Sequence, residues 1–239
     1  MKNDLLRRCT AECLGTAFLV AAVIGSGIAA SRLSDDPGLR LLENAVATAA
    51  ALAAIIVAFG PVSGAHLNPV VTLADVLLGG IDRRNAIAYI GAQVLGGFAG
   101  AVIANAMFSR PALELSTTVR SGGGLWLAEV VATAGLLFVV FGSARGGRAA
   151  ATPFVVGGYI GAAYFFTSST SFANPAVTFA RTLSDSFAGV APQSIAAFVV
   201  AQVVGLLVAV PVIRFLYGKA EAREGAEEVV VPRDEQIEP

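Results

Sequence analysis

Charge is scarce in this sequence. Only 14% of its 239 residues are Asp, Glu, Lys or Arg, against about a quarter in a soluble domain. Histidine occurs once, at His66, and cysteine twice, at Cys9 and Cys13. One imidazole and two thiols are too few for a structural zinc site. No nucleophile and acid flank His66 in a pattern that suggests catalysis. Neither an enzyme nor a metal or other cofactor is therefore expected. Net charge is -1 without a basic patch, which argues against nucleic acid as a partner. Cys9 and Cys13 lie one helical turn apart. They read as small buried side chains, with a reactive thiol pair as the alternative.

Apolar residues and glycine are abundant instead. The hydrophobic share is 56%, with 26 glycines, which places the chain in the membrane class. A hydrocarbon core of ~30 Å needs about 20 apolar helical residues. Six such stretches occur, at about 9–31, 40–60, 83–108, 125–144, 150–168 and 193–217. The first is too long for a signal-peptide core and contains Glu12, so it reads as the first spanning helix. The charged segment 218–239 reads as a disordered tail. Two further apolar pieces, Leu67–Leu78 and Phe172–Leu183, are too short to span. Each opens at Asn-Pro, at Asn68-Pro69 and Asn174-Pro175. Proline suits a first helical turn, and irregular backbone at membrane depth must be buried in protein or line a wet cavity. Both pieces are therefore expected to be re-entrant half-helices.

The chain repeats itself. Ala11-Glu12 with Thr16-Ala17 matches Ala128-Glu129 with Thr133-Ala134. Asn68-Pro69-Val70-Val71-Thr72 matches Asn174-Pro175-Ala176-Val177-Thr178. Ala92-Gln93-Val94 with Gly96 matches Ala201-Gln202-Val203 with Gly205. One channel domain over 1–217 is expected, with repeat 1 at about 5–108 and repeat 2 at about 122–217. Three spans per half invert the second copy relative to the first, so the half-helix N-termini should meet near the midplane. With six spans both termini share a side, which carries eleven of the 16 basic residues. That side is expected to be the cytoplasm.

Two helix N-termini aimed at one spot disfavour cations there. Asn68 and Asn174 would add amide donors toward a passing neutral solute and interrupt a proton-conducting water chain. Glu12 and Glu129 read either as a proton relay or as acceptors for the loops before the half-helices. One Glu per half-helix favours the acceptor role. Gln93 and Gln202 suit similar hydrogen bonding. His66 is either a loop side chain or a gate that responds to protonation.

These marks resemble those of the major intrinsic proteins, the aquaporin and aquaglyceroporin family. Ser63-Gly64-Ala65-His66-Leu67-Asn68-Pro69-Val70 is similar to the first family signature, and Phe172-Ala173-Asn174-Pro175-Ala176 to the second. The resemblance covers about residues 5–217. It implies an all-α membrane bundle of six transmembrane helices plus two re-entrant half-helices, assembled as a homotetramer with one pore per subunit. Two departures stand out. Val70 replaces the usual Ala, and Val177 occupies the position where the family nearly always carries Arg. Arg181 lies one turn beyond and is expected to reach back only part of the way. By register, Thr48 and Ser171 join Val177 in the outer constriction. The fifth-span position is Tyr164 counting from Pro153, or Ala162 counting back from Asn174. Tyr164 is preferred, because deletions belong in loops. Thr178 stands where glycerol-type members usually have Asp.

The expected function is a passive channel for small neutral polar solutes with a filter lacking the usual Arg. Its solutes would be water, glycerol-like polyols and metalloid species such as arsenite, because the filter resembles that of bacterial members linked to arsenic resistance. A secondary carrier, a strict water channel or a purely structural junction protein are the alternatives. The expected location is the inner (plasma) membrane.

Overall fold

The computed structural model describes residues 2–144 and 149–217, so the expected tail at 218–239 and the break at Arg145–Arg148 lie outside the described residues. Eight α-helices run through the described chain: α1 (Lys2–Leu33), α2 (Pro37–Ser63), α3 (Pro69–Leu78), α4 (Arg83–Met107), α5 (Gly123–Ser143), α6 (Thr152–Phe166), α7 (Pro175–Ala180) and α8 (Ile195–Tyr217). Local sequence sets several starts. Asp36 and Asp82 cap α2 and α4 by accepting from Leu39 N–H and from the N–H groups of Arg84 and Asn85. Pro37, Pro69 and Pro175 open their helices, where a missing N–H costs nothing.

Helices α1, α2, α4 and α5, together with the helical stretch Pro192–Tyr217 that contains α8, are long and apolar enough to cross a bilayer. The fifth expected span is shorter than 150–168. Helix α6 has 15 residues, about 22 Å of rise, and is entered through a 3-10 turn at Ala149–Ala151. Helix α7 has only six residues before a 3-10 turn at Arg181–Leu183. Many large apolar side chains point outward, among them Phe18, Val57, Leu95, Ile103, Leu127 and Leu207, whereas Glu12, Gln93, Glu129 and Gln202 are fully buried. Apolar outside and polar inside is the distribution lipid demands.

The two halves pack alike. Helix α1 lies on α4 and α2 as α5 lies on α8 and α6, and α3 and α7 each reach the opposite half, at α8 and α4. Glycine sets how closely these helices approach. A Cβ at Gly96 would stand 2.1 Å from the Cys13 carbonyl oxygen, and one at Gly100 2.3 Å from that of Ala17. The repeat partner Gly205 sits against Val130 in the same way, at 2.7 Å. The α1–α4 seam is thus closed at backbone contact, which is how helices gain dispersion energy in lipid. Cys9 and Cys13 are only half-buried on α1, so they do not fill the core as small buried side chains were expected to.

The loops before α3 and α7 are the least regular backbone near the centre, and they match in detail. Ala65 and Leu67 have φ of 46° and 52°, and Ser171 and Ala173 have 52° and 47°. These are the third and first residues before each Asn. A left-handed non-glycine residue costs about 1–3 kcal/mol, so each loop needs support. Glu12 supplies it in the first half: its carboxylate accepts from His66 N–H at 2.9 Å, Leu67 N–H at 2.7 Å and the Ser63 hydroxyl at 2.6 Å. Glu129 does so in the second half, accepting from Phe172 N–H and Ala173 N–H, both at 2.9 Å. Gln93 Nε2 donates to Glu12 at 2.8 Å and to the Thr72 hydroxyl at 3.0 Å. Gln202 Nε2 repeats this toward Glu129 at 2.6 Å and Thr178 at 2.9 Å. Each Thr hydroxyl then donates to the Asn carbonyl four residues back, Asn68 at 3.1 Å and Asn174 at 2.8 Å. Thr178 therefore belongs to the support of its half-helix.

Two predictions follow from this packing and support. Gly96→Ala should destabilise the protein by about 1–3 kcal/mol through overpacking, whereas Gly91→Ala, with open space at its Cβ, should be neutral or stabilising by up to about 1 kcal/mol. Thermal unfolding of the two purified variants in detergent checks this, and equal midpoints would contradict it. Glu129→Gln replaces an acceptor oxygen with a donor facing other donors, so it should cost about 1–3 kcal/mol, read as a lowered unfolding midpoint.

Candidate functional site: a cavity at the meeting of two half-helices

The N-termini of α3 and α7 meet through their Asn residues. Asn68 and Asn174 each occupy an N-cap with extended backbone. Asn68 Oδ1 accepts from Val70 N–H at 3.0 Å, and Asn174 Oδ1 accepts from Ala176 and Val177 N–H at 3.0 and 3.2 Å. The carboxamide nitrogens then cross between the halves. Asn68 Nδ2 donates to the Ala173 carbonyl and Asn174 Nδ2 to the Leu67 carbonyl, both at 2.8 Å. Each acceptor belongs to the left-handed residue just before the opposite Asn. The crossed pair locks the two loops together.

An amide nitrogen carries two hydrogens. The crossed bond uses one on each side chain, which leaves one more donor on each. Both Asn residues are nine-tenths buried or more, and both line one cavity. On the α3 side the same cavity is lined by Ala65 and His66, and on the α7 side by Ser171, Phe172, Val177 and Arg181. Its remaining wall is mainly aliphatic, with Leu19, Val23, Leu52, Ile56, Val71, Leu136, Val140, Val156 and Ile160. Few polar groups on an apolar wall let a solute bind briefly without holding it. The two helix N-termini add partial positive charge where they meet.

The expected outer constriction is brought together on the α7 side. Thr48 from α2 and Tyr164 from α6 both line the cavity, and Tyr164 Oη hydrogen-bonds the Thr48 hydroxyl at 3.2 Å. Tyr164 is buried whereas Ala162 is exposed, so the side chain that faces the lumen is Tyr164. Ser171 lines the cavity with a buried hydroxyl that has no partner among the described residues. Val177 is buried at its wall. Proline residues 69 and 175, with Val70 and Ala176, form the first turns behind the two Asn side chains.

Arg181, expected to reach back only part of the way, lines the same cavity as Val177. Asn174, Val177, Thr178 and Arg181 are spaced three, four and seven apart, which is one helical face. That spacing was the available signal. What the sequence could not supply is the ring of Phe172, over which the guanidinium carbon lies 3.4 Å from the centroid.

His66 is buried in the loop. Its N–H bonds Glu12, its Nδ1 lies 3.1 Å from the Thr72 hydroxyl and its ring meets Tyr89 edge-on at 5.3 Å. Its Nε2 lies 3.5 Å from Asp75 Oδ2, with both side chains fully buried. Tyr89 donates to the Ser63 carbonyl at 2.9 Å. Tyr89 and Asp75 were not foreseen from the sequence, since neither is repeated: Phe198 and Arg181 stand at the matching places of the second half.

Comparison with known proteins agrees with this geometry. The sequence pattern of the major intrinsic proteins matches residues 1–173. The chain is 47% identical over 213 residues to the aquaglyceroporin AqpS of Rhizobium meliloti (strain 1021), across 89% of this chain and 91% of that protein. It is 34% identical over 193 residues to a probable TIP-type aquaporin of Medicago truncatula, across 74% of each. The fold is shared with the X-ray structure of the aquaglyceroporin from Plasmodium falciparum, at a TM-score of 0.66 and 21% identity, over 87% of this chain and 94% of that one. With two Asn-capped half-helices joined across a lined cavity, this chain belongs to the major intrinsic protein family, a family of membrane channels rather than enzymes.

Proposed function

We propose that the chain is a passive channel for water, glycerol-like polyols and small metalloid hydroxides such as arsenite, passed in uncharged form. The observation that carries this reading is the cavity that runs past both Asn side chains and continues past Thr48, Tyr164, Ser171 and Val177. Hydroxyl-bearing solutes suit such a path. Their oxygens accept from the Asn donors while their carbon or metalloid body slides along the aliphatic wall. Val177 is short and uncharged, so it leaves room in the constriction for a solute larger than water. The similarity to a bacterial aquaglyceroporin supports a polyol-sized cargo, and a metalloid hydroxide such as neutral arsenite has the shape and donors of a polyol. A role in arsenic resistance follows from that cargo.

In this reading Asn68 and Asn174 orient the solute and Glu12, Glu129 and His66 hold the loops. Residues 1–217 form a single channel domain. The protein works as a homotetramer in the cell's inner (plasma) membrane, with both termini in the cytoplasm. Thr48, Tyr164, Ser171 and Val177 together set the size limit.

The test is a flux panel in proteoliposomes with water, glycerol, urea and arsenite. Val177→Arg should lower glycerol and arsenite permeability by roughly tenfold while water falls much less, because a long cationic side chain narrows the path. Unchanged permeability to every larger solute would refute the wide constriction.

A further inference from the structure

The arginine at the outer end of the cavity remains to be explained. Arg181 is only 2% exposed, yet it faces the lumen. Its Nε donates to the Ala188 carbonyl, and its guanidinium lies flat enough on Phe172 for a 3.4 Å carbon-to-centroid distance. These two anchors fix the group. Phe172 is itself fixed, by its own N–H on Glu129 and by an edge-on contact with Phe198 at 5.1 Å. The four hydrogens on the two Nη atoms of Arg181 have no hydrogen-bond partner among the described residues.

No carboxylate among the described residues lies within salt-bridge distance of Arg181. Glu129 holds the loop N–H groups and Gln202, Glu114 pairs with Arg110, and Asp185 accepts from Thr117. Arg120 brings a second positive charge to the same ring, at 5.3 Å, but its donors go to the Gly189 and Phe187 carbonyls. Arg120 thus ties the loop down, while Arg181 keeps its outer face for the cavity. A buried charge without a protein partner is costly, and here the group that can compensate it is whatever fills the lumen.

We infer that Arg181 is the charge-selecting residue of this pore. It places a fixed cation one turn, about 6 Å along the axis, beyond Val177. The constriction is therefore wide at Val177 and positively charged just outside it. Solutes with oxygen acceptors are drawn to the free Nη donors, and alkali cations are repelled before they reach the Asn pair. Width and charge, which one residue could set together, are divided here between two residues on one face.

The inference rests on the reading that this cavity conducts. The experiment compares thallium(I) influx with glycerol efflux in proteoliposomes of the full chain. Arg181→Gln should raise the ratio of thallium to glycerol permeability by about tenfold or more, and Arg181→Lys should hold it within about twofold of the parent, if charge is what acts. Val177→Glu leaves both Arg181 anchors in place and sets a carboxylate one turn away. It should raise the ratio as well, and it serves if Arg181→Gln does not fold. Absence of glycerol efflux from the parent protein overturns the conducting cavity and the inference with it. Glycerol efflux with a ratio that stays within about twofold in both charge-cancelling variants overturns the inference alone, as does an equal rise in Arg181→Lys.

Discussion

Two irregular loops lie where backbone polar groups cannot turn to lipid or bulk water for partners, and the rest of the structure answers that constraint. Each loop holds three residues with positive φ, Gly64, Ala65 and Leu67 in one and Thr170, Ser171 and Ala173 in the other, which turn successive peptide groups in different directions. The N–H groups go to Glu12 or Glu129, and the Leu67 and Ala173 carbonyls go to the Asn of the opposite half. Neither half can close this circuit alone. The crossed Asn bonds make the loop of one repeat the acceptor of the other, so the inverted repeat is a condition for satisfying the backbone.

The same circuit explains why four buried polar residues per half are stable in an otherwise apolar bundle. Glu, Gln, Thr and Asn form one continuous chain of hydrogen bonds, which ends on the backbone carbonyl of the Asn whose side chain lines the cavity. Each Glu spends its two oxygens on loop N–H groups and on a Gln amide, which suits a support rather than a relay. The backbone-close α1–α4 seam brings Glu12 and Gln93 within reach of each other and of the loop. Packing by glycine and hydrogen bonding by Glu are thus parts of one arrangement.

Much of this was legible in the sequence because the marks recur. Glu12 and Glu129, Gln93 and Gln202, and the two Asn-Pro segments are sparse polar residues in apolar surroundings, at matching places in two halves. Thr72 and Thr178 recur as well, although their hydroxyls were not read as links of the chain. What has no partner in the repeat was harder to place. Tyr164 needed the helix to show which of two registers faces the lumen. Arg181 needed the ring of Phe172, which comes from the loop and not from its own helix. The shorter α6 could not be read from apolar composition, since the residues after Phe166 remain largely uncharged where helical hydrogen bonding ends.

The central claim is that the cavity past Asn68 and Asn174 conducts passively. The most direct measurement is net glycerol flux through purified protein in liposomes as a function of the glycerol gradient, with and without an imposed proton or sodium gradient. A passive path predicts flux proportional to the glycerol gradient and indifferent to either ion. Saturating flux, or accumulation of glycerol against its gradient when an ion gradient is imposed, would contradict it and identify a coupled carrier.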